Sequence, residues 1–82
     1  MTKLSDLKTI LEGMLREGER RELDNVRSLH LKFERIFPVR TNPKLLQYDN
    51  IHQSLWMAVL HPGMYDRYME HAKKELAELN RD

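Results

Sequence analysis

The sequence predicts an all-α fold, a small irregular antiparallel bundle of about four helices. Three observations predict it. Apolar residues recur at helical spacing in four separate segments. Glycine and proline together fill only six of the 82 positions. No run alternates at period two for long enough to compete as a strand.

The first helix is expected over about 3–17, where Leu4, Leu7, Ile10, Leu11, Met14 and Leu15 form one apolar stripe. Thr2 or Ser5 can cap it, and Asp6 sits near the positive end of the helix dipole. Gly18 follows the last periodic residue and reads as a left-handed terminator. Residues 16–22 (Arg-Glu-Gly-Glu-Arg-Arg-Glu) hold no apolar side chain, so a hairpin connection is expected there. A second helix, about 20–37, presents Leu23, Val26, Leu29, Phe33, Ile36 and Phe37 inward. Asp24 with Arg27, and His30 with Glu34, are spaced to pair along its surface.

Pro38 ends that helix, and residues 38–43 form a linker with proline at both ends. Asn42-Pro43 is a helix start, a capping residue followed by proline at the first helical position. The third helix is expected over about 43–60, and Asp49-Asn50 can restart it because Asn50 and Gln53 have capping-box spacing. Ile51 to Leu60 is apolar almost all round, which predicts the most buried element. His61-Pro62-Gly63 breaks the chain again, and the last helix, about 62–80, points Tyr65, Tyr68, Met69, Ala72, Leu76 and Leu79 inward. Glu70 with Lys74, and Lys74 with Glu78, are four-residue pairs on its outer side.

Residues 1–82 are short for more than one domain, and so small a chain has a thin core. The absence of cysteine excludes disulfides and thiolate metal sites, and suits a cytoplasmic location. A net charge of +1 creates no global field toward nucleic acid or anionic lipid. The longest apolar run, Leu55 to Leu60, is far short of the ~20 residues that a membrane span needs, so no membrane insertion is expected. Met1 to Asp6 lacks the apolar core of a signal peptide.

Catalytic and cofactor signals are weak. His30, His52, His61 and His71 show irregular gaps, with no two histidines one helical turn apart. Asp49-x-x-His52 has one-turn spacing but stands alone. The four read as surface or boundary residues, His30 paired to Glu34 and His61 closing a helix, so neither a metal nor a cofactor is expected. Ser5, Ser28 and Ser54 lack a nucleophile elbow, and Gly13, Gly18 and Gly63 are too isolated to cradle phosphate. Glu17, Glu19 and Glu22 lie in a charge-mixed run that reads as solubilising rather than as paired catalytic carboxylates. The sequence therefore points away from an enzyme.

Two binding readings remain. Arg16, Arg20, Arg21, Arg27, Lys32, Arg35 and Arg40 could contact phosphates, but Glu17, Glu19, Glu22, Asp24 and Glu34 interleave with them as on a solvated face. Asn50, His52, Gln53 and Ser54 resemble the polar lead of a recognition helix, yet the residues after them are too apolar for a groove. The other reading is a protein-binding module. Trp56 and Met57 adjoin in an already apolar helix, while Met64, Tyr65 and Met69 surround the Pro62-Gly63 turn. Leu31 falls off the inner stripe of its helix. The alternative for Trp56 is a single large core anchor. The protein-binding reading is preferred: a small regulator, inhibitor or adaptor of the type that phages and plasmids encode, with a protein partner of unknown identity. A thin core and surplus apolar surface further predict a homodimer when no partner is present.

Overall fold

The computed structural model describes residues 4–37 and 43–81. The chain folds into helices α1 (Leu4–Glu19), α2 (Leu23–Ile36), α3 (Pro43–Leu60) and α4 (Tyr65–Asn80), with a 3-10 turn at Pro62–Met64 ahead of α4. No strand occurs among the described residues. The all-α bundle expected from the sequence is what forms. No helix is long and apolar enough to cross a membrane among the described residues. The linker at 38–42, the Thr2 and Asn42 caps and Arg40 lie outside the described residues.

α1 packs on α2 as one hairpin and α3 on α4 as the other, and α1 also touches both α3 and α4. α2 reaches α3 but makes no comparable contact with α4. The apolar stripe of α1 explains its central place: Leu7, Ile10, Leu11 and Met14 recur at helical spacing and are all buried. Val26 and Phe33 of α2, Tyr48, Ile51, Leu55 and Ala58 of α3, and Tyr65, Met69, Ala72 and Leu76 of α4 complete the core. Within residues 51–60 of α3 only Gln53 and Leu60 are exposed. Trp56, Met57 and Val59 are half-buried and Leu60 is exposed, so α3 keeps one solvent-facing side. Leu23, expected inward, is exposed as well.

No restart occurs at Asp49-Asn50, and α3 runs through it. Tyr48, Ile51, Leu55 and Ala58 lie on one buried face across that point, so continuing the helix keeps all four in the core. Asn50 lies inside the helix and caps no new one, and the carboxylate of Asp49 beside it meets the His52 ring one turn later.

The α1–α2 connection is a tight turn at 20–22, and its left-handed residue is Arg21 (φ 58°) rather than Gly18. Glu22 N–H donates to the Glu17 carbonyl (2.9 Å) and Arg21 N–H to the Gly18 carbonyl (3.0 Å), the pairing of a Schellman motif. Gly18 is glycine for a different reason. A Cβ there would fall 2.6 Å from Cε and 2.8 Å from Sδ of Met69, so the bare backbone lets α4 come close. The Tyr65 hydroxyl donates to the Gly18 carbonyl in the same contact. Burial raises the Tyr65 phenol above its ordinary pKa, while the Arg21 guanidinium opposes the shift and Asp66 adds to it.

Arg21 is held in its strained conformation by a 3.1 Å ion pair to Asp66 and by its guanidinium, 4.3 Å above the Tyr65 ring. Arg21→Gly and Arg21→Ala both lose these contacts, but only alanine keeps a Cβ in the left-handed region. Arg21→Gly is therefore expected to be more stable than Arg21→Ala by about 1 kcal/mol in urea unfolding. Equal stability of the two variants would contradict the assignment of Arg21 as the turn residue.

Candidate functional site at the seam of α2 and α3

Where α2 meets α3, the apolar core gives way to a polar centre. His30 projects from α2 and His52 from α3, and both are buried. Nδ1 of His30 lies 2.7 Å from Nε2 of His52. The outer nitrogens meet carboxylates: His30 Nε2 is 2.8 Å from Glu34 Oε1, and His52 Nδ1 is 3.4 Å from Asp49 Oδ1. The four side chains form one series, Asp49–His52–His30–Glu34, with its two imidazoles inside and its carboxylates toward solvent. Each acid sits one turn from its histidine on the same helix, so helix geometry supplies the outer contacts and tertiary packing the central one.

Aromatic rings fix the planes of both imidazoles. The Trp56 ring stacks on His30 with centroids 3.8 Å apart and planes 2° from parallel. Phe33 covers His52 at 4.2 Å and 13°. The expectation that these histidines are surface or boundary residues is corrected for His30 and His52; His61 and His71 are exposed as expected. The pairing of His30 with Glu34 is present as read from the sequence, and a third one-turn pair joins His71 to Glu75.

Three contacts in series need three ring hydrogens, and two neutral imidazoles carry only two. Filling all three contacts takes one added proton shared by the pair, which burial of the rings opposes. A second would set two N–H groups against each other at 2.7 Å. Burial lowers the His30 pKa, opposed by Glu34. His52 is lowered chiefly by burial, then by His30, against the Asp49 and Glu34 carboxylates.

The residues singled out for protein binding separate into two groups. Tyr65 and Met69 are buried within the bundle, because α4 turns them against Gly18 of α1. Leu31 and Met64 are exposed, and Trp56 and Met57 are half-buried. Trp56 thus divides its surface between the His30 ring and the exterior. Of the basic residues, Arg16, Arg20, Arg21, Arg27, Lys32 and Arg35 are all exposed. Arg16 and Arg20 approach Glu17 at 4.0 and 3.6 Å, and Arg21 is paired to Asp66. Half of the described cluster is therefore offset by neighbouring carboxylates.

Contacts across the seam fix its direction. His30 meets both His52 and Trp56, and Phe33, further along α2, meets His52, so the two helices run antiparallel. Leu23 at the start of α2 then falls at the same end as Leu60 and Met64, where Arg21 also reaches Asp66. This places three exposed apolar residues at one end of the seam, with Trp56 leading to them. The fold and site thus define a four-helix protein with a buried imidazole pair and an apolar rim. The chain matches no known protein family, no curated protein and no solved structure.

The histidine pair should make stability depend on pH. Both folded-state pKa values lie below the unfolded value of about 6.5, so the unfolded chain binds more protons in that range. Stability from the pair is then complete above pH ~6.5 and is lost as pH falls below it toward the folded values. Thermal unfolding at pH 7.5 and 5.5 is expected to show a lower midpoint at 5.5, and a smaller difference in His30→Gln. A midpoint unchanged or higher at pH 5.5 would contradict the sign.

Proposed function

We propose that the chain is a non-enzymatic protein-binding module, a small regulator, inhibitor or adaptor, that engages its partner through the apolar end of the α2–α3 seam. One observation carries the reading: Leu23, Leu60 and Met64 are exposed at the end of the seam to which the half-buried Trp56 leads. Leu31 and Leu60 leave 55% and 51% of their surface in water, an arrangement that is unfavourable until something covers it. Fully burying one such side chain stabilises by about 1.5–3 kcal/mol, so a few of them around a tryptophan suffice for a specific contact. Leu31 is a further exposed apolar residue of α2. A nucleic-acid reading built on Arg16 to Arg35 is less well supported, since Arg16, Arg20 and Arg21 already face carboxylates.

Capture from host lysate tests the proposal when wild type is compared with Leu60→Glu, an exposed position where the bundle should be unaffected. A protein retained by wild type through high salt and lost by Leu60→Glu supports the seam as the interface. Binding to generic nucleic acid that collapses between low and moderate salt would instead favour the basic segment.

The same surface is expected to pair two copies when no partner is present, since a symmetric dimer is the commonest closed arrangement. Sedimentation at tens of micromolar should then show a mass above the 9.9 kDa of one chain, reduced toward it by Leu60→Glu. A mass of 9.9 kDa throughout that range would exclude self-association.

A further inference from the structure

We propose that His30, His52 and Glu34 form a binding site for one divalent first-row transition cation of the zinc type, with Asp49 as the outer carboxylate that orients His52. Ligand atoms of the three residues lie within 4.8 Å of one another. Two imidazole nitrogens and one carboxylate oxygen form a donor set suited to zinc, which commonly takes three protein ligands and one water.

The ion replaces the hydrogen between the two rings. His52 Nε2 and His30 Nδ1 are 2.7 Å apart, and tetrahedral ligation at bond lengths of ~2.0 Å needs nitrogens roughly 3.3 Å apart. Spreading the rings by about half an ångström meets that need. Glu34 is exposed and has the freedom to swing from the far edge of His30 toward the ion. A water would complete the coordination, as is common for zinc with three protein ligands.

Three further features fit this site rather than a hydrogen-bonded pair alone. The Asp49 carboxylate contacts the nitrogen of His52 that faces away from the ion, the outer-shell arrangement that fixes the tautomer of a ligating histidine. Trp56 and Phe33 lie flat against the two rings, so the ligands are held in plane before the ion arrives. The series Asp49–His52–His30–Glu34 is short of one positive charge when both imidazoles are neutral. A cation between the rings supplies it.

Trp56 is the one tryptophan of the chain and stacks on a proposed ligand, so its fluorescence reports the site directly. The untagged full chain would be titrated with zinc, cobalt and copper, following Trp56 emission, thermal midpoint and binding stoichiometry. One ion per chain, a raised midpoint with zinc, strong quenching of Trp56 by copper and visible bands of four-coordinate cobalt are expected. Glu34→Gln, on an exposed side chain, should retain the helical circular dichroism spectrum and weaken binding by about tenfold or more. His71→Ala removes the exposed His71–Glu75 pair and should change nothing. Unaltered emission and midpoint in excess zinc and cobalt would overturn the proposal. So would binding lost in His71→Ala, or binding of undiminished affinity in Glu34→Gln.

Discussion

Burial of a single stripe on α1 is the constraint on which the rest of the structure depends. Leu7, Leu11 and Met14 are fully buried and Ile10 nearly so, and α1 packs against all three other helices. A chain of 82 residues cannot give each hairpin a core of its own, so one helix must serve both. The molecule measures 35 × 25 × 17 Å, which leaves room for one layer of side chains between the hairpins. Gly18 follows from the same constraint. With the end of the Met69 side chain in the space a Cβ would need, α4 closes over the end of α1, and the Tyr65 hydroxyl donates to the Gly18 carbonyl.

Apart from its hairpin with α1, α2 meets the rest of the bundle only through a narrow contact with α3. The seam uses two imidazoles where leucines would serve for burial alone. A buried polar group destabilises a core unless its hydrogen bonds are met, and here they are met only when α2 and α3 stand in one register. Sliding either helix by a turn would leave two ring nitrogens facing apolar side chains. The pair therefore restricts which packing of two hairpins is acceptable, a specificity that a purely apolar seam would lack. The stacking of Trp56 and Phe33 on the rings adds dispersion contact without using the ring nitrogens.

Three of the helices were legible because each carries its own period, while α3, apolar almost all round from Ile51 to Leu60, was legible from its length and its Asn42-Pro43 start. Leu7 through Met14, Val26 through Phe33 and Tyr65 through Leu76 declare their buried faces without reference to one another. The histidine centre was only half legible. One-turn spacing exposed Asp49–His52 and His30–Glu34 as separate pairs, but the contact that joins them spans 22 residues and two helices. Spacing rules search along one helix and are blind to such a contact. His30 does sit four residues from Val26 and three from Phe33, on the apolar stripe itself, and this position was the available sign of burial. Gly18 and Arg21 misled for a related reason: glycine is the common turn residue, but packing from α4 claimed Gly18, and the turn fell to an arginine with partners elsewhere.

Trp56 belongs to both proposed sites, and this has a thermodynamic consequence. One face of its ring lies on His30, while its remaining surface leads to the rim that includes Leu60. A cation that spreads the His30–His52 pair displaces the surface on which Trp56 rests. A partner that grips Trp56 restrains that same movement. If both ligands bind, their free energies are coupled through one side chain, and the coupling must act equally in both directions. Its sign depends on whether the partner prefers the spread or the closed pair. Its path is short, because a single stacked contact separates the polar centre from the apolar rim.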